Sequence, residues 1–349
     1  MAHSFTRRSR AAAAAVAVSC LTLSLAGSAV AQDASPASSA AGTGPLFVAI
    51  NKSADQQYFI DLQTSFKDTI VGLGGTAQAS DAKLDPNLGI NLVNDAISAG
   101  AKGIAITVPD QTIGPAVAAA AKAAGVALVA TDDGIVDDAG NPVPFVGFNG
   151  TDMGTKVGEA AAQLLTASGW LTDTTKKVGV LSTEVQTLSV CEDRTNAAKE
   201  QMAAAGVPAE NIFQVPYTGE TQSAQDAAGP VITAHPDVTN WVVFACNDEG
   251  ALGTINALAA SAVSPDNIIG VGLGAYEACK PWAAGQPSGF KAALFISGLD
   301  VGASAAKVLY DNVVNGVALP PETIAPTTIV DASTFATVMD PISVANCSK

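Results

Sequence analysis

Six places along the chain set polar side chains or glycines directly after short apolar runs. They are Asn51 with Lys52, Pro109 with Asp110, Asp132 with Asp133, the segment before Arg194, Asn247 with Asp248, and Gly272 to Gly274. If the runs are parallel strands, these are their carboxyl ends, where open sheets collect ligands. The chemistry on offer is hydrogen bonding. Carboxylates accept, Lys52 and Arg194 donate, and Asn247 does both, which suits an uncharged ligand whose hydroxyls also donate and accept. Tyr58 and Phe59, one or two turns into the helix expected after Lys52, offer a flat apolar face for a pyranose ring. Any one of these residues alone could simply cap the next helix; the six together point to a site.

Other chemistries lack their residues. Asp132 and Asp133 are the nearest thing to an acid/base pair, but neighbours on an extended chain point to opposite sides. A glycosidase needs its two carboxylates to flank one bond. The run Gly270 to Gly274 (GVGLG) lies late in the chain and lacks the further glycine of a dinucleotide loop. The two histidines are His3 and His235; they build no HExxH, and no Ser-His-Asp set forms around His235. No CxxC or CxxxH spacing suggests a metal, so no cofactor and no metal are expected. The reading is of a binding protein, not an enzyme.

The elements that must position these residues follow from pattern. The chain has 349 residues, 48% hydrophobic and 14% charged, apolar enough for a large core. Lys plus Arg is 17 against Asp plus Glu 32, and a surface so acidic argues against nucleic acid or an anionic membrane as partner. Arg7, Arg8 and Arg10, the apolar run from Ala11 to Leu25 and the small residues Ala29 to Ala31 form the three-part pattern of a secretory signal, cut after Ala31. That run is shorter than the ~20 residues of a membrane span. Cys20 as a lipid-attachment site stays open, although the expected Leu three places before it is absent. Residues 32–45, rich in Ala and Ser, read as a disordered tether. Four cysteines remain, Cys191, Cys246, Cys279 and Cys347, with three possible pairings in an oxidising compartment.

From Leu46 onward, strand and helix patterns alternate. Strands are expected at 46–50, 104–108 and 126–131, then at 178–182, 212–215, 241–245, 268–272 and 292–295. Between them lie helical patterns, the second and third stopped by Gly100 and Gly125. A helix spans 151–168, and a long one from Asp300 to Val314 precedes a tail that crosses back. Such alternation means an α/β fold: two doubly wound parallel-sheet lobes joined by a hinge, with a cleft between them.

At this point the chain resembles a known family, the type I periplasmic sugar-binding proteins of ABC importers, and within it the arabinose-binding branch. The resemblance runs from about Leu46 to Phe335. It is densest in Ser98 to Asp110 (SAGAKGIAITVPD), Val129 to Asp133 (VATDD), Asn211 to Pro216 (NIFQVP), His235 to Trp241 (HPDVTNW), Cys246 to Asp248 (CND) and Asn267 to Gly272 (NIIGVG). It implies a sugar carried to an ABC permease by a monomeric protein exported to the periplasm or the outer face of the membrane, and capture by hinge closure. It implies an N-terminal lobe of 46–149 plus about 297–325 and a C-terminal lobe of 150–296 plus about 326–349.

The resemblance also implies ligand contacts. Lys52 would donate to ring hydroxyls and Arg194 to the ring oxygen, Tyr58 and Phe59 would stack on the ring, and Asp132 and Asp133 would accept, the second from the anomeric hydroxyl. Asn247 would serve from the second lobe, with Asp248 ranked below it. Gln56 stands where the branch has a glutamate, Gly274 where it has a second asparagine, and Gly147 where a methionine lines the pocket. These departures leave the identity of the sugar open.

Overall fold

The computed structural model describes residues 43–349. The expected signal, and all of the tether except 43–45, lie outside them. Twelve strands and eleven α-helices are present among the described residues. The first half contains β1 Leu46–Asn51, α1 Gln57–Gly72, β2 Thr76–Asp81, α2 Pro86–Ser98, β3 Gly103–Ile106, α3 Gly114–Ala124, β4 Ala127–Thr131, β5 Phe145–Gly147 and α4 Gly150–Ser168. Then come β6 Val178–Glu184, α5 Ser189–Ala204, β7 Ile212–Pro216, α6 Thr221–Ala234, β8 Asn240–Ala245, α7 Asp248–Ala260, β9 Ile268–Gly274, α8 Cys279–Ala283 and β10 Phe290–Ile296. The chain ends with α9 Gly298–Asn315, β11 Glu322–Ile324, β12 Thr327–Val330, α10 Phe335–Val338 and α11 Pro341–Asn346.

The strands make two six-stranded sheets. The first runs in the order β11-β5-β4-β3-β1-β2 and the second β12-β10-β9-β8-β6-β7. All pairings are parallel except β10 with β12. Both sheets reverse direction of winding beside their first strand, between β1 and β3 and between β6 and β8, and each reversal opens a crevice at the carboxyl ends. The backbone passes between the sheets three times: from β5 through α4 to β6, from β10 into α9, and from β11 to β12. Two of these passages are tied together where the Ala325 amide donates to the Gly147 carbonyl at 2.8 Å.

The central strands read as unbroken apolar runs because both faces are covered: β3, β8 and β9 are buried along their whole length. Helices pack through small residues. A Cβ placed on Gly298 would stand 2.3 Å from the Tyr58 carbonyl oxygen, and one on Gly302 2.2 Å from that of Leu62, so α9 lies directly against α1.

Most expected elements are present within a few residues. Gly100 and Gly125 take left-handed φ of +86° and +66°, as their stop role requires. The structure adds β2, β5, β11, β12, α10 and α11, and the helix between β9 and β10, α8, is only five residues long. The cysteines pair as Cys191–Cys246 and Cys279–Cys347. No helix among the described residues is long and apolar enough to cross a membrane.

Candidate ligand-binding site

A cavity of about 370 Å³ lies where the carboxyl ends of the two sheets face each other. That is within the roughly 300–1,000 Å³ of small-molecule sites. The first sheet supplies Lys52 after β1, Asp110 after β3 and Asp132 after β4, with Gln56, Tyr58 and Phe59 from the start of α1. The second supplies Val185 to Leu188 after β6, Cys191 and Arg194 on α5, Tyr217 after β7, Cys246 to Glu249 at the start of α7, and Gly274 and Tyr276 at the end of β9.

An ion-pair chain crosses the cavity. Lys52 Nζ sits 2.6 Å from Asp133 Oδ2 and 3.8 Å from Asp132 Oδ2, with the Phe59 ring centroid 5.4 Å away. Arg194 reaches from the second sheet, its Nη2 3.4 Å from Asp132 Oδ1, while Nη1 donates to the Cys246 carbonyl at 3.1 Å. Arg194 is 5% exposed and its Nε makes no hydrogen bond. A buried guanidinium with an unused donor is costly to leave so. The Cys191–Cys246 disulfide ties α5 to the end of β8, fixing the helix that carries Arg194 beside Asn247.

Seven of the eight expected residues line this cavity: Lys52, Gln56, Tyr58, Phe59, Asp132, Arg194 and Asn247. Asp133 does not. It is fully buried behind Lys52, and burial pushes its carboxyl up against the opposing pull of the ammonium. The expectation that the two aspartates point apart also fails. Asp132 takes a left-handed φ of +59°, which breaks the strand's alternation and turns both carboxylates toward Lys52. Gly147 is not at the cavity either. It lies within β5, where a Cβ would meet the Phe145 ring at 2.5 Å.

Tyr58 is less a free stacking surface than a packed one. Its ring contacts those of Phe59, Phe148 and Tyr276, and its hydroxyl lies 3.4 Å from Asp132 Oδ1. Burial, and then the Asp132 charge, raise its pKa well above the usual tyrosine value. Asn247 is largely committed to the protein: Oδ1 accepts from the Tyr217 hydroxyl at 2.5 Å and from the Gly250 amide at 2.9 Å, and Nδ2 donates to the Gly219 carbonyl at 2.9 Å. It is the N-cap of α7.

Tyr217, Glu249 and Tyr276 were not expected here. Tyr217 follows β7 as Lys52 follows β1, so the carboxyl-end rule would have found it. Glu249 stands next to Asp248, and burial with that neighbouring charge pushes its carboxyl up to about 8. His235 stacks on Phe213 at 3.9 Å and is not among the lining residues.

A fold of two parallel sheets with a polar cleft at their facing carboxyl ends is that of the bilobal solute-binding proteins. Residues 47–316 match the periplasmic binding protein domain family, and the chain belongs to it. It is 32% identical over 280 residues to the "ABC transporter L-arabinose-binding periplasmic protein" of Azospirillum brasilense, covering 78% of this chain and 82% of that one. It is 29% identical over 235 residues to the L-arabinose-binding periplasmic protein of Escherichia coli K12, covering 66% and 70%. Among solved structures, a Caulobacter myo-inositol binding protein bound to myo-inositol superposes with a TM-score of 0.71 at 19% identity, covering 85% of this chain and 98% of that one. That last likeness is one of fold.

Proposed function

We propose that the protein is an exported solute-binding protein that captures a monosaccharide, an arabinose-like pentose or a hexose, by closing two lobes over it. It then hands the sugar, chemically unchanged, to an ABC transporter. The observation that carries this reading is the meeting of Lys52 and Asp132 from one sheet with Arg194 from the other in a single cavity, Arg194 retaining an unpaired buried donor. Lys52, Gln56, Tyr58, Phe59, Asp132, Arg194 and Asn247 form the site on this reading, with Asp133 holding Lys52 in place. The lobes are 46–149 with about 297–325, and 150–296 with about 326–349, moving as a monomer about the three passages between the sheets. The arabinose-binding relatives support a sugar as ligand and an ABC transporter as recipient. A cyclic polyol presents the same hydroxyls, and the Caulobacter protein's myo-inositol makes that the second compound to try.

The test is a thermal-shift screen of L-arabinose, D-ribose, D-galactose, D-glucose and myo-inositol, followed by calorimetry on Arg194→Ala. Each hydrogen bond to a charged group contributes about 1.5–3 kcal/mol. Loss of two donors should therefore weaken binding by a hundredfold or more. Wild-type affinity in that variant would remove Arg194 from the site, and a screen in which nothing binds would overturn the reading.

A further inference from the structure

We propose that Glu249 is a ligand-binding residue: its carboxyl gives and accepts a hydrogen bond at one hydroxyl of the bound sugar. The inference rests on the sugar-binding reading and deepens it.

The other polar side chains that the second sheet sets around Glu249 are already spent on the protein. Asn247 accepts from the Tyr217 hydroxyl and the Gly250 amide and donates to the Gly219 carbonyl, which leaves it one amide hydrogen. The Tyr276 hydroxyl accepts from the Gly298 amide at 3.2 Å. Asp248 is anchored by the Glu277 and Ala278 amides through Oδ2, while its Oδ1 is sealed beside Gly272, where a Cβ would stand 2.3 Å away. Gly274 offers no side chain.

Glu249 stands apart from these. It lines the cavity and is half-buried, whereas Asp248 beside it is 2% exposed. Among the described residues no other residue hydrogen-bonds its carboxyl or pairs with it; the donor acting on it is its own backbone amide. Unlike Asp248 Oδ1, neither of its oxygens is sealed from solvent. A lining carboxyl with reachable oxygens and no partner is a group that a ligand can satisfy.

Its surroundings hold it in place. Gly250, the next residue, packs on Tyr217, where a Cβ would meet the phenol oxygen at 2.7 Å, so the start of α7 is fixed against that ring. Tyr217 in turn feels the charge of Glu249 in one sense and that of Arg194 in the other, so one lining ring is within range of both groups.

The chemistry of the contact follows. Burial and the Asp248 charge push the Glu249 carboxyl up to about 8, so near neutral pH it keeps its proton. A protonated carboxyl donates and accepts at once, as a sugar hydroxyl does, whereas Arg194 donates only. A sugar lacking the hydroxyl at the recognised carbon leaves the carboxyl unpaired in the closed cleft and is rejected.

The experiment uses calorimetry at pH 7 with whichever of L-arabinose, D-ribose, D-galactose, D-glucose and myo-inositol binds wild type most tightly, and with the monodeoxy analogues of that compound. Thermal melting checks that each variant is folded. Two neutral hydrogen bonds lost together weaken binding about five- to a hundredfold. Glu249→Ala should therefore raise the Kd at least fivefold, and Glu249→Gln, whose amide still donates and accepts, should bind at least threefold more tightly than Glu249→Ala. One deoxy analogue should bind wild type at least fivefold more weakly than its parent yet lose nothing further in Glu249→Ala, a result that a merely structural role would not give. A loss below fivefold in Glu249→Ala, a glutamine variant no better than alanine, or an unchanged further loss for every analogue overturns the inference and leaves the sugar-binding reading intact. Failure of wild type to bind any of the five compounds overturns that reading and the inference with it.

Discussion

Asp248 shows how a buried carboxylate carries a stability cost. Burial raises its carboxyl from 3.8 to about 6, helped by the Glu277 charge, while the Glu277, Ala278 and Ala275 amides pull the other way. A carboxyl whose folded pKa lies above its unfolded one contributes stability fully below about pH 4, and that contribution is lost as the pH rises through about 6. Asp248→Asn has no charge to bury. Relative to wild type it should gain little near pH 4 and more toward pH 7, by about 1–3 kcal/mol at the top of that range. The neighbouring Glu249 at about 8 loses stability in the same sense over a higher window, and removing the Asp248 charge should relieve part of that as well. Glu277, paired with Lys280, is present in both proteins. Thermal melts of the two proteins at pH 4.5 and pH 7.5, without sugar, measure the difference. A gap that does not widen with pH would mean the carboxyl is not the burden described. The variant is thus expected to be the more stable protein.

At the scale of elements, what was legible in the sequence is what burial writes into it. Apolar runs covered on both faces announce β1, β3, β8 and β9, and glycines with left-handed φ mark the ends of α2 and α3. The strand β2 (TAQASD) was missed because, at the edge of its sheet, only Ala77 is fully buried and no apolar run forms. The three-residue strands β5 and β11 are too short to carry a period. The carboxyl-end rule found most of the expected residues that line the cavity, but it assumed strict alternation at Asp132 and Asp133, which a single positive φ undoes. Helix spacing was the least legible property, since it depends on which glycine meets which backbone. Gly154 on α4 is the sharp case: a Cβ there would lie 2.0 Å from the carbonyl oxygen of Arg194 and 2.8 Å from its Cα. Gly154→Ala must push α5 away and move Arg194 with it. Overpacking of this kind costs about 1–3 kcal/mol. The variant should melt lower and also bind sugar at least tenfold more weakly, both visible by scanning and titration calorimetry. A fall in melting temperature with unchanged affinity would show that α5 can shift without disturbing its arginine.

For the whole molecule, the start of helix α5 is held from across the cleft. Its N-cap residue, Leu188, offers no side-chain acceptor for the free amides of the first turn. The acceptor comes from the other sheet: Gln111, in the turn after β3, takes the Ser189 amide on Oε1 at 2.7 Å while its Nε2 donates to the Gly134 carbonyl at 2.5 Å. Gln56 makes a second bond across the cleft, to the Gly219 carbonyl at 3.3 Å. One lobe therefore caps the helix that carries the other lobe's arginine. If the lobes part when sugar leaves, α5 loses that cap, and a sugar that draws them together regains it. Gln111 does not line the cavity, so Gln111→Ala leaves every ligand contact in place while it removes the bond across the cleft together with the one to the Gly134 carbonyl. A neutral hydrogen bond of this sort contributes about 0.5–1.5 kcal/mol. The Kd should accordingly rise about two- to tenfold, while small-angle scattering still detects a smaller radius of gyration on adding sugar. The melting temperature without sugar should fall only by what the lost bond to Gly134 contributes, because on the proposed reading the open protein does not use the bond across the cleft. Should the affinity be unchanged, the Gln111 bond would belong to both arrangements of the lobes and α5 would play no part in coupling them.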